Sequence, residues 1–300
     1  MKIGPQQIKL IMKELSTGRN ALFLLFATVA FMMAFAPIKA FYATEMGGYY
    51  THIVLIPLVS LYLLYLKRTE ILANPKYSLT SGLPVLIAAV VLFIGGWMLC
   101  TDFDKNNFAS LIALSVVIFV NGAFILIYGL QAYRACLFPL LFLIFIIPAP
   151  TVIMNGMIHV LQVGSTEFTN LLFMASGVPF VRDGFVFQLP NLSVEVARQC
   201  SGIRSAMAIF IVAILAGYLF LKSTWKIIFL AVCAVLIAML KNGIRILTLS
   251  LLSNYVNPQI LQSSLHREGG IPFFIVALVL LAPILFFLIR LEKKKVVNRA

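Results

Sequence analysis

The sequence predicts an all-α integral membrane protein with about eight transmembrane helices, a small extracytoplasmic β-hairpin and an interfacial helix. Hydrophobic residues make up 62% of the 300-residue chain and charged residues only 11%, less than half the charged fraction of an ordinary soluble domain. The apolar residues are gathered in long blocks, as in proteins that cross a bilayer several times. No stretch between the blocks is long enough to link two domains, so we expect one polytopic membrane domain over residues 1–300.

Eight apolar blocks approach the roughly 20 residues that a transmembrane helix needs. They lie near residues 21–36, 51–66, 82–100, 108–131, 136–150, 203–221, 227–253 and 271–290. An even number of spans places both chain termini on the same side of the membrane.

The positive charge of the chain follows the same topology. The net charge is +13, and the basic residues flank the apolar blocks rather than form a stripe with interleaved aromatic residues. This pattern argues against nucleic acid as a partner and indicates the lipid bilayer instead. One side of the predicted membrane holds 15 of the 23 basic residues, and the positive-inside rule makes that side cytoplasmic. These residues are Lys2, Lys9, Lys13, Arg19, Lys67, Arg68, Lys76, Arg134, Lys222, Lys226, Arg290, Lys293, Lys294, Lys295 and Arg299.

Residues 151–200, the longest non-spanning stretch, then form an extracytoplasmic segment. Apolar and polar residues mix at helical spacing over 151–176, which favours an interfacial helix, with a re-entrant helix as the alternative. Residues 178–197 change to β-rich runs around Asp183-Gly184, a dipeptide typical of a hairpin turn, and the alternation over 192–196 allows a third strand. Open strand edges cannot be satisfied in lipid, so this small sheet belongs outside the membrane.

Cys200 follows this sheet directly and begins the sixth apolar block. At a helix N-terminus, unpaired N–H groups and the positive end of the helix dipole favour a thiolate. A small buried hydrophobe is the alternative role for a membrane cysteine. Arg204 lies one helical turn later on the same face, where it either supports the site or snorkels to the interface. The four cysteines show no metal-ligand or disulfide spacing, so we expect no metal and no cofactor.

Two later polar segments return to the predicted outer face. Arg245 interrupts the seventh apolar block, and a charge inside a span is a functional candidate by default. Pairing of Arg245 with Glu195 or Glu268 is the structural alternative. Asn242, one turn before Arg245, can hydrogen-bond across helices. His266 lies just before the eighth block, with Glu268 nearby to orient it.

A thiol, a guanidinium and an imidazole on one membrane face indicate nucleophilic chemistry on an acyl group. Cys200 would attack a carbonyl and His266 would protonate the leaving amine, while Arg245 would stabilise the oxyanion. Supporting or substrate-binding roles are expected for Arg204, Asn242, Glu195 and Glu268. The alternative function is a membrane transporter or a non-catalytic factor for exopolysaccharide export. Gly95-Gly96 and Asn121-Gly122 favour that alternative, although a transporter would place its polar residues near the bilayer midplane.

Three motifs resemble those of the exosortase/archaeosortase family. Residues 194–205 read Val-Glu-Val-Ala-Arg-Gln-Cys-Ser-Gly-Ile-Arg-Ser and are similar to the signature of that family. Asn242-Gly243-Ile244-Arg245-Ile246 resembles its Asn-x-x-Arg-Ile motif, and His266 matches the third position. The run 143–150 and the hairpin over 177–190 are also similar. The resemblance covers residues 137–272, whereas the first 130 residues are similar only as a series of spans.

The resemblance implies a membrane cysteine peptidase or transpeptidase of the bacterial cytoplasmic (inner) membrane. Its partners would be membrane-anchored exported proteins with a C-terminal sorting signal: a short motif (Pro-Glu-Pro in many bacterial cases), a transmembrane helix and a basic tail. The family roles fall on Cys200 as nucleophile, Arg245 as transition-state stabiliser and His266 as acid and base. Water, a lipid amine or another acceptor would resolve the acyl-enzyme. Some archaeal relatives have arginine where this chain has His266, so the bacterial type is the nearer match.

Overall fold

The computed structural model describes residues 18–44, 46–73, 75–99, 104–257 and 270–297. The chain divides into two compact units, Met1–Thr151 and Val152–Ala300, and each is described by itself. The single polytopic domain expected over residues 1–300 stays a prediction.

The first unit consists of helices joined by short turns. Its helices are α1 (Gly18–Tyr42), α2 (Leu55–Leu66), α3 (Arg68–Leu72), α4 (Leu79–Met98), α5 (Lys105–Ala135) and α6 (Leu137–Leu141), with 3₁₀ turns at Met46–Tyr49 and Phe142–Ile146. Helices α4 and α5 pack with their backbones close together. A Cβ added to Gly82 would lie 2.5 Å from the Leu126 Cα, and one added to Gly122 would lie 3.0 Å from the Leu86 backbone nitrogen. Such small-residue contacts are typical of helix packing in membranes.

The second unit combines long helices with a small sheet. Its elements are α7 (Thr151–Ser176, beginning at the last residue of the first unit), β1 (Val181–Asp183), β2 (Val186–Leu189), β3 (Leu192–Glu195), a 3₁₀ turn at Arg198–Cys200, α8 (Ile203–Phe220), α9 (Thr224–Tyr255) and α10 (Gly270–Val297). Helix α9 packs against both α8 and α10, so it forms the centre of this unit.

Among the described residues, six helical segments are long and apolar enough to cross a membrane. They are Gly18–Tyr42, Leu79–Met98, Lys105–Ala135, Arg198–Phe220, Thr224–Tyr255 and Ile271–Lys293. The number rises to seven if Leu137–Ile146 and Thr151–Ser176 together form one broken span. The predicted all-α membrane class is therefore confirmed, but the count differs from the eight blocks in the sequence.

The two blocks that do not form long helices explain this difference. Residues 51–66 contain only the 12-residue helix α2, which is about 18 Å long and too short for a hydrocarbon core of about 30 Å. Residues 136–150 divide into the five-residue helix α6 and a 3₁₀ turn. Hydropathy identifies apolar blocks, but it does not show where a helix within a block begins or ends.

The predicted hairpin forms and carries a third strand. The sheet order is β1-β2-β3, antiparallel throughout, with Val181 opposite Gln188 and Phe187 opposite Val194. Asp183 pairs with Val186, so Gly184 and Phe185 form the two-residue turn. Gly184 has φ +56, as expected where a two-residue hairpin needs glycine at its first central position.

Helix α7 runs alongside this sheet and the turn that follows it. Phe173 of α7 joins a buried cluster with Phe187, Leu189, Val196 and Ile246. Further pairs lie along the helix: Asn155 with Arg198, His159 with Phe185, Gln162 with the Val196 carbonyl, and Glu167 with Arg182. The helix expected over 151–176 is therefore present. Its position at the membrane surface stays a prediction, as does the re-entrant alternative.

Candidate active site

Cys200 ends the 3₁₀ turn after the sheet, and Gly202 separates it from α8. Gly202 has φ +76, and a Cβ placed there would lie 2.9 Å from Asn242 Oδ1. Both the left-handed backbone and the close approach require glycine. Sequence reasoning placed the thiol on the first turn of a helix, but α8 begins at Ile203. The half-buried Cys200 thus lies on a tight turn immediately before the helix.

Two consecutive residues of α9 bind this turn. Asn242 is 1% exposed, and its Nδ2 donates a 2.8 Å hydrogen bond to the Cys200 carbonyl. Lys241 is 2% exposed, and its Nζ donates a 2.5 Å hydrogen bond to Ser205 Oγ. Ser205 Oγ in turn donates to the Gly202 carbonyl at 2.9 Å. The carbonyls on either side of Ser201 are therefore both linked to α9.

A small cavity of about 40 Å³ opens beside Cys200. Its lining residues are Val194, Glu195, Cys200, Asn242, Arg245, Ile246, Leu249 and Ser250. A cavity of this size has room for a few water molecules or a small polar group. The structure thus brings together four of the residues singled out in the sequence: Cys200, Asn242, Arg245 and Glu195.

Two buried polar atoms next to Cys200 lack hydrogen-bond partners among the described residues. Ser201 is 2% exposed, and neither its Oγ nor Asn242 Oδ1 has a hydrogen-bond partner among the described residues. Such atoms are rare in folded proteins, because an unsatisfied buried polar group costs about 1–3 kcal/mol. Together with the cavity, they indicate a place where a water molecule or a ligand completes the hydrogen bonding.

The remaining predicted residues are not placed at the cavity. Arg204 is exposed on the first turn of α8 and does not line it. The spacing argument assumed that Cys200 and Arg204 share one helix, whereas the chain turns at Gly202 between them. His266 and Glu268 lie outside the described residues, so their proximity to Cys200 stays a prediction. Across the described ranges, no three His, Cys, Asp or Glu side chains group as a metal site requires.

Lys241 is one residue that sequence reasoning missed, although an ionisable side chain inside an apolar helix is itself a functional signal. Gln162 was also missed; it is 7% exposed and donates to the Val196 carbonyl at 2.7 Å. A lone glutamine within a mixed helical pattern gives no comparable signal.

A comparison with protein families matches most of the chain. The family model described as Transmembrane exosortase (Exosortase_EpsH) matches residues 43–283, which is most of the chain. The match includes the Cys200 turn and the α9 segment that binds it. No curated protein and no solved structure matches the chain.

Proposed function

The chain belongs to the transmembrane exosortase family, and from this premise we propose that it is a membrane cysteine peptidase or transpeptidase that cleaves C-terminal sorting signals. The observation that carries the proposal is the shared cavity of Cys200 and Arg245. A nucleophile and a fixed cation beside the same small space are what an acyl-transfer site needs.

The proposed reaction has two stages. The Cys200 sulfur attacks the carbonyl carbon of the scissile peptide, and the tetrahedral oxyanion is stabilised by the Arg245 guanidinium. The C–N bond then breaks, and the amine leaves with a proton supplied by His266. This gives an acyl thioester on Cys200 and releases the C-terminal tail. Water or an amine, deprotonated by His266, attacks the thioester and restores the thiol.

Each residue enters the proposal on different grounds. Cys200 and Arg245 come from both motif and geometry, whereas His266 comes from its motif alone. Asn242 holds the backbone of the nucleophile through the Cys200 carbonyl. Glu195 lies on the cavity rim, where it could orient Arg245 or a polar group of the substrate.

The proposed substrates are exported proteins anchored by a C-terminal helix followed by a basic tail. The site is proposed to face the non-cytoplasmic side of the bacterial inner membrane, with both termini in the cytoplasm. The small sheet next to Cys200 supports this placement, because open strand edges require water or protein around them. A lipid or another amine is proposed as the acceptor where the acyl-enzyme is not hydrolysed.

Three of the four residues that favoured a transporter make contacts within or between α4 and α5, whereas Gly95 has nothing within 4 Å of an added Cβ. Asn121 Nδ2 donates to the Val117 carbonyl of its own helix at 2.8 Å. Gly122 gives α4 room to pack against α5, and an added Cβ at Gly96 would lie 3.2 Å from Ile112. The polar cluster that remains surrounds Cys200, which lies near the start of the span Arg198–Phe220. This favours the enzyme over the transporter.

The test is cleavage of a reporter: a soluble domain followed by Pro-Glu-Pro, an apolar helix of about 20 residues and an Arg-rich tail. Cys200→Ala should abolish the shift in reporter size while the amount of folded protein stays normal, because the thiol is the nucleophile. Cys233→Ala is the matched control, since Cys233 is a free cysteine within α9 and away from the cavity. Normal cleavage by Cys200→Ala would exclude the cysteine mechanism.

A further inference from the structure

Lys241 is a buried cation near the middle of α9, one residue before Asn242. It is 2% exposed, and a charge withdrawn from water in an apolar helix is unfavourable unless it is paired or has a function. Among the described residues, its Nζ has one hydrogen-bond partner, the neutral Ser205 Oγ at 2.5 Å, and forms no salt bridge. A lysine whose role was to stabilise the bundle would be expected to face a carboxylate.

The next turn of the helix makes this position still less favourable. Arg245 follows Lys241 by four residues, so the two side chains lie on neighbouring positions of one helix face. Like charges at this spacing destabilise a helix. The stability of the bundle therefore does not explain Lys241, and the contact that it makes has to be considered instead.

That contact reaches the nucleophile through a short hydrogen-bond chain. The ammonium donates to Ser205 Oγ, and the same hydroxyl donates to the Gly202 carbonyl. A donor that carries a positive charge polarises the hydroxyl and strengthens the bond that the hydroxyl itself donates. Asn242 holds the Cys200 carbonyl, two residues earlier. The turn is thus bound to α9 through two carbonyl groups, those of Cys200 and Gly202.

We propose that Lys241 is a positioning residue, which acts through Ser205 to fix the Cys200 turn against α9. This inference rests on the proposed function, because it assigns the fixed turn to the thiol that reacts. Lys241 does not line the cavity, so it touches neither the substrate nor the reacting atoms. Its charge, acting through Ser205, holds the Gly202 carbonyl, and Asn242 holds the Cys200 carbonyl, so the turn keeps the geometry that aims Cys200 at the cavity.

The experiment compares Lys241→Met with Lys226→Met. Lys226 is a matched control because it is also 2% exposed on α9, but it lies in the first turn of the helix and its Nζ is 3.5 Å from Glu292. Three quantities are measured in the full-length protein: thermal stability, the kcat and KM of reporter cleavage, and the rate at which a maleimide labels Cys200 without substrate. Peptide mapping assigns the label to Cys200 rather than to another cysteine.

For Lys241→Met we expect unchanged or higher thermal stability, since a buried charge without a carboxylate is removed. Its kcat should fall by about 10- to 100-fold, because small displacements of a reacting group have effects of this order, while KM changes little. Labelling of the half-buried Cys200 should become several-fold faster as the turn loosens. Lys226→Met should lower thermal stability but leave the labelling rate of folded protein unchanged.

Ser205 provides a second pair of variants if Lys241→Met does not fold. Ser205→Ala removes the hydroxyl that relays the contact and should accelerate Cys200 labelling, whereas Ser205→Thr keeps the hydroxyl and should label like the wild type. Unchanged labelling in folded Lys241→Met, or in Ser205→Ala, would overturn the positioning role. The labelling needs no turnover, so it tests the positioning role even if the wild type does not cleave the reporter. Failure of the wild type to cleave the reporter would count against the proposed function alone.

Discussion

Helix α9 carries two buried lysines, Lys226 in its first turn and Lys241 near its middle, and the surroundings of the two lysines differ. At the start of the helix, Glu292 accepts hydrogen bonds from the backbone amides of Lys222 and Ser223 and pairs with Lys226. Near the middle, Lys241 and Arg245 have the same charge, and polar atoms of Ser201 and Asn242 lack partners among the described residues. The stretch from Lys226 to Arg245 covers about 28 Å of helix, which is close to the hydrocarbon thickness of a bilayer.

The difference separates structural from functional polarity within one helix. Where charges are matched, as at Glu292, the polar groups stabilise the packing of α9 and α10. Where Lys241 and Arg245 lie one turn apart near Cys200, and Lys241 forms no salt bridge with any described residue, the like charges oppose the stability of the helix. Sites that are organised for catalysis commonly carry such a cost in stability.

The sharpest test of this comparison is Arg245. If it stabilises an oxyanion, Arg245→Lys keeps the charge but loses the planar guanidinium that can direct two N–H groups at one oxygen. Turnover should fall by about 10²-fold or more, with normal protein level. If Arg245 only stabilises the helix bundle through an ion pair, Arg245→Lys should retain both activity and protein level. Arg245→Ala should then lower the protein level. Steady-state protein level and reporter cleavage, measured together for both variants, separate these roles.

A smaller effect is expected at Gly202. Gly202→Ala adds a Cβ at φ +76 and 2.9 Å from Asn242 Oδ1, so the turn must shift away from α9. We expect cleavage to fall by about 10-fold, because a misplaced nucleophile reacts more slowly. Gly184→Ala is the control: it has φ +56 but nothing within 4 Å of the added atom. Gly184→Ala should cost about 1–3 kcal/mol of backbone strain and leave the rate per folded molecule unchanged. An equal loss of rate in both variants would show that the close approach of Gly202 to Asn242 does not affect cleavage.

The smallest effect on activity is expected at the matched end of α9. Glu292→Gln weakens the pairing with Lys226 and the hydrogen bonds from two backbone amides. The free energy of unfolding should fall by about 1–3 kcal/mol, the usual range for hydrogen bonds to a charged group. Thermal unfolding and cleavage by the same preparation test this. A large loss of rate without a loss of stability would show that the regions of α9 around Lys226 and Lys241 are not separate in function.

The sequence predicted the parts of this protein that depend on local pattern. Asp183-Gly184 between β-rich runs identified the hairpin because a two-residue turn depends on local backbone chemistry, and the register then fixed Gly184-Phe185 as the turn itself. Cys200, Asn242 and Arg245 were found because polar residues within apolar blocks are conspicuous. These three residues span 45 positions of the chain, yet all three line one cavity.

What the sequence did not reveal depends on tertiary contacts. The 12-residue length of α2 could not be read from an apolar block of 16 residues, which contributed to the higher count of spans. The start of α8 after Cys200 depends on the close approach of Gly202 to Asn242. The role proposed for Lys241 depends on Ser205, a partner 36 residues away. Spacing along one helix cannot show such contacts.

The central claim is that Cys200 carries the acyl group during cleavage, and the most direct measurement is detection of that intermediate. Purified full-length protein is mixed with excess reporter, quenched with acid after less than one turnover, and the peptide that contains Cys200 is mapped by mass spectrometry. We predict a reporter fragment joined to Cys200 through a bond that neutral hydroxylamine breaks, and no such species in Cys200→Ala. Cleavage of the reporter with Cys200 unmodified at every time of quenching would contradict the account.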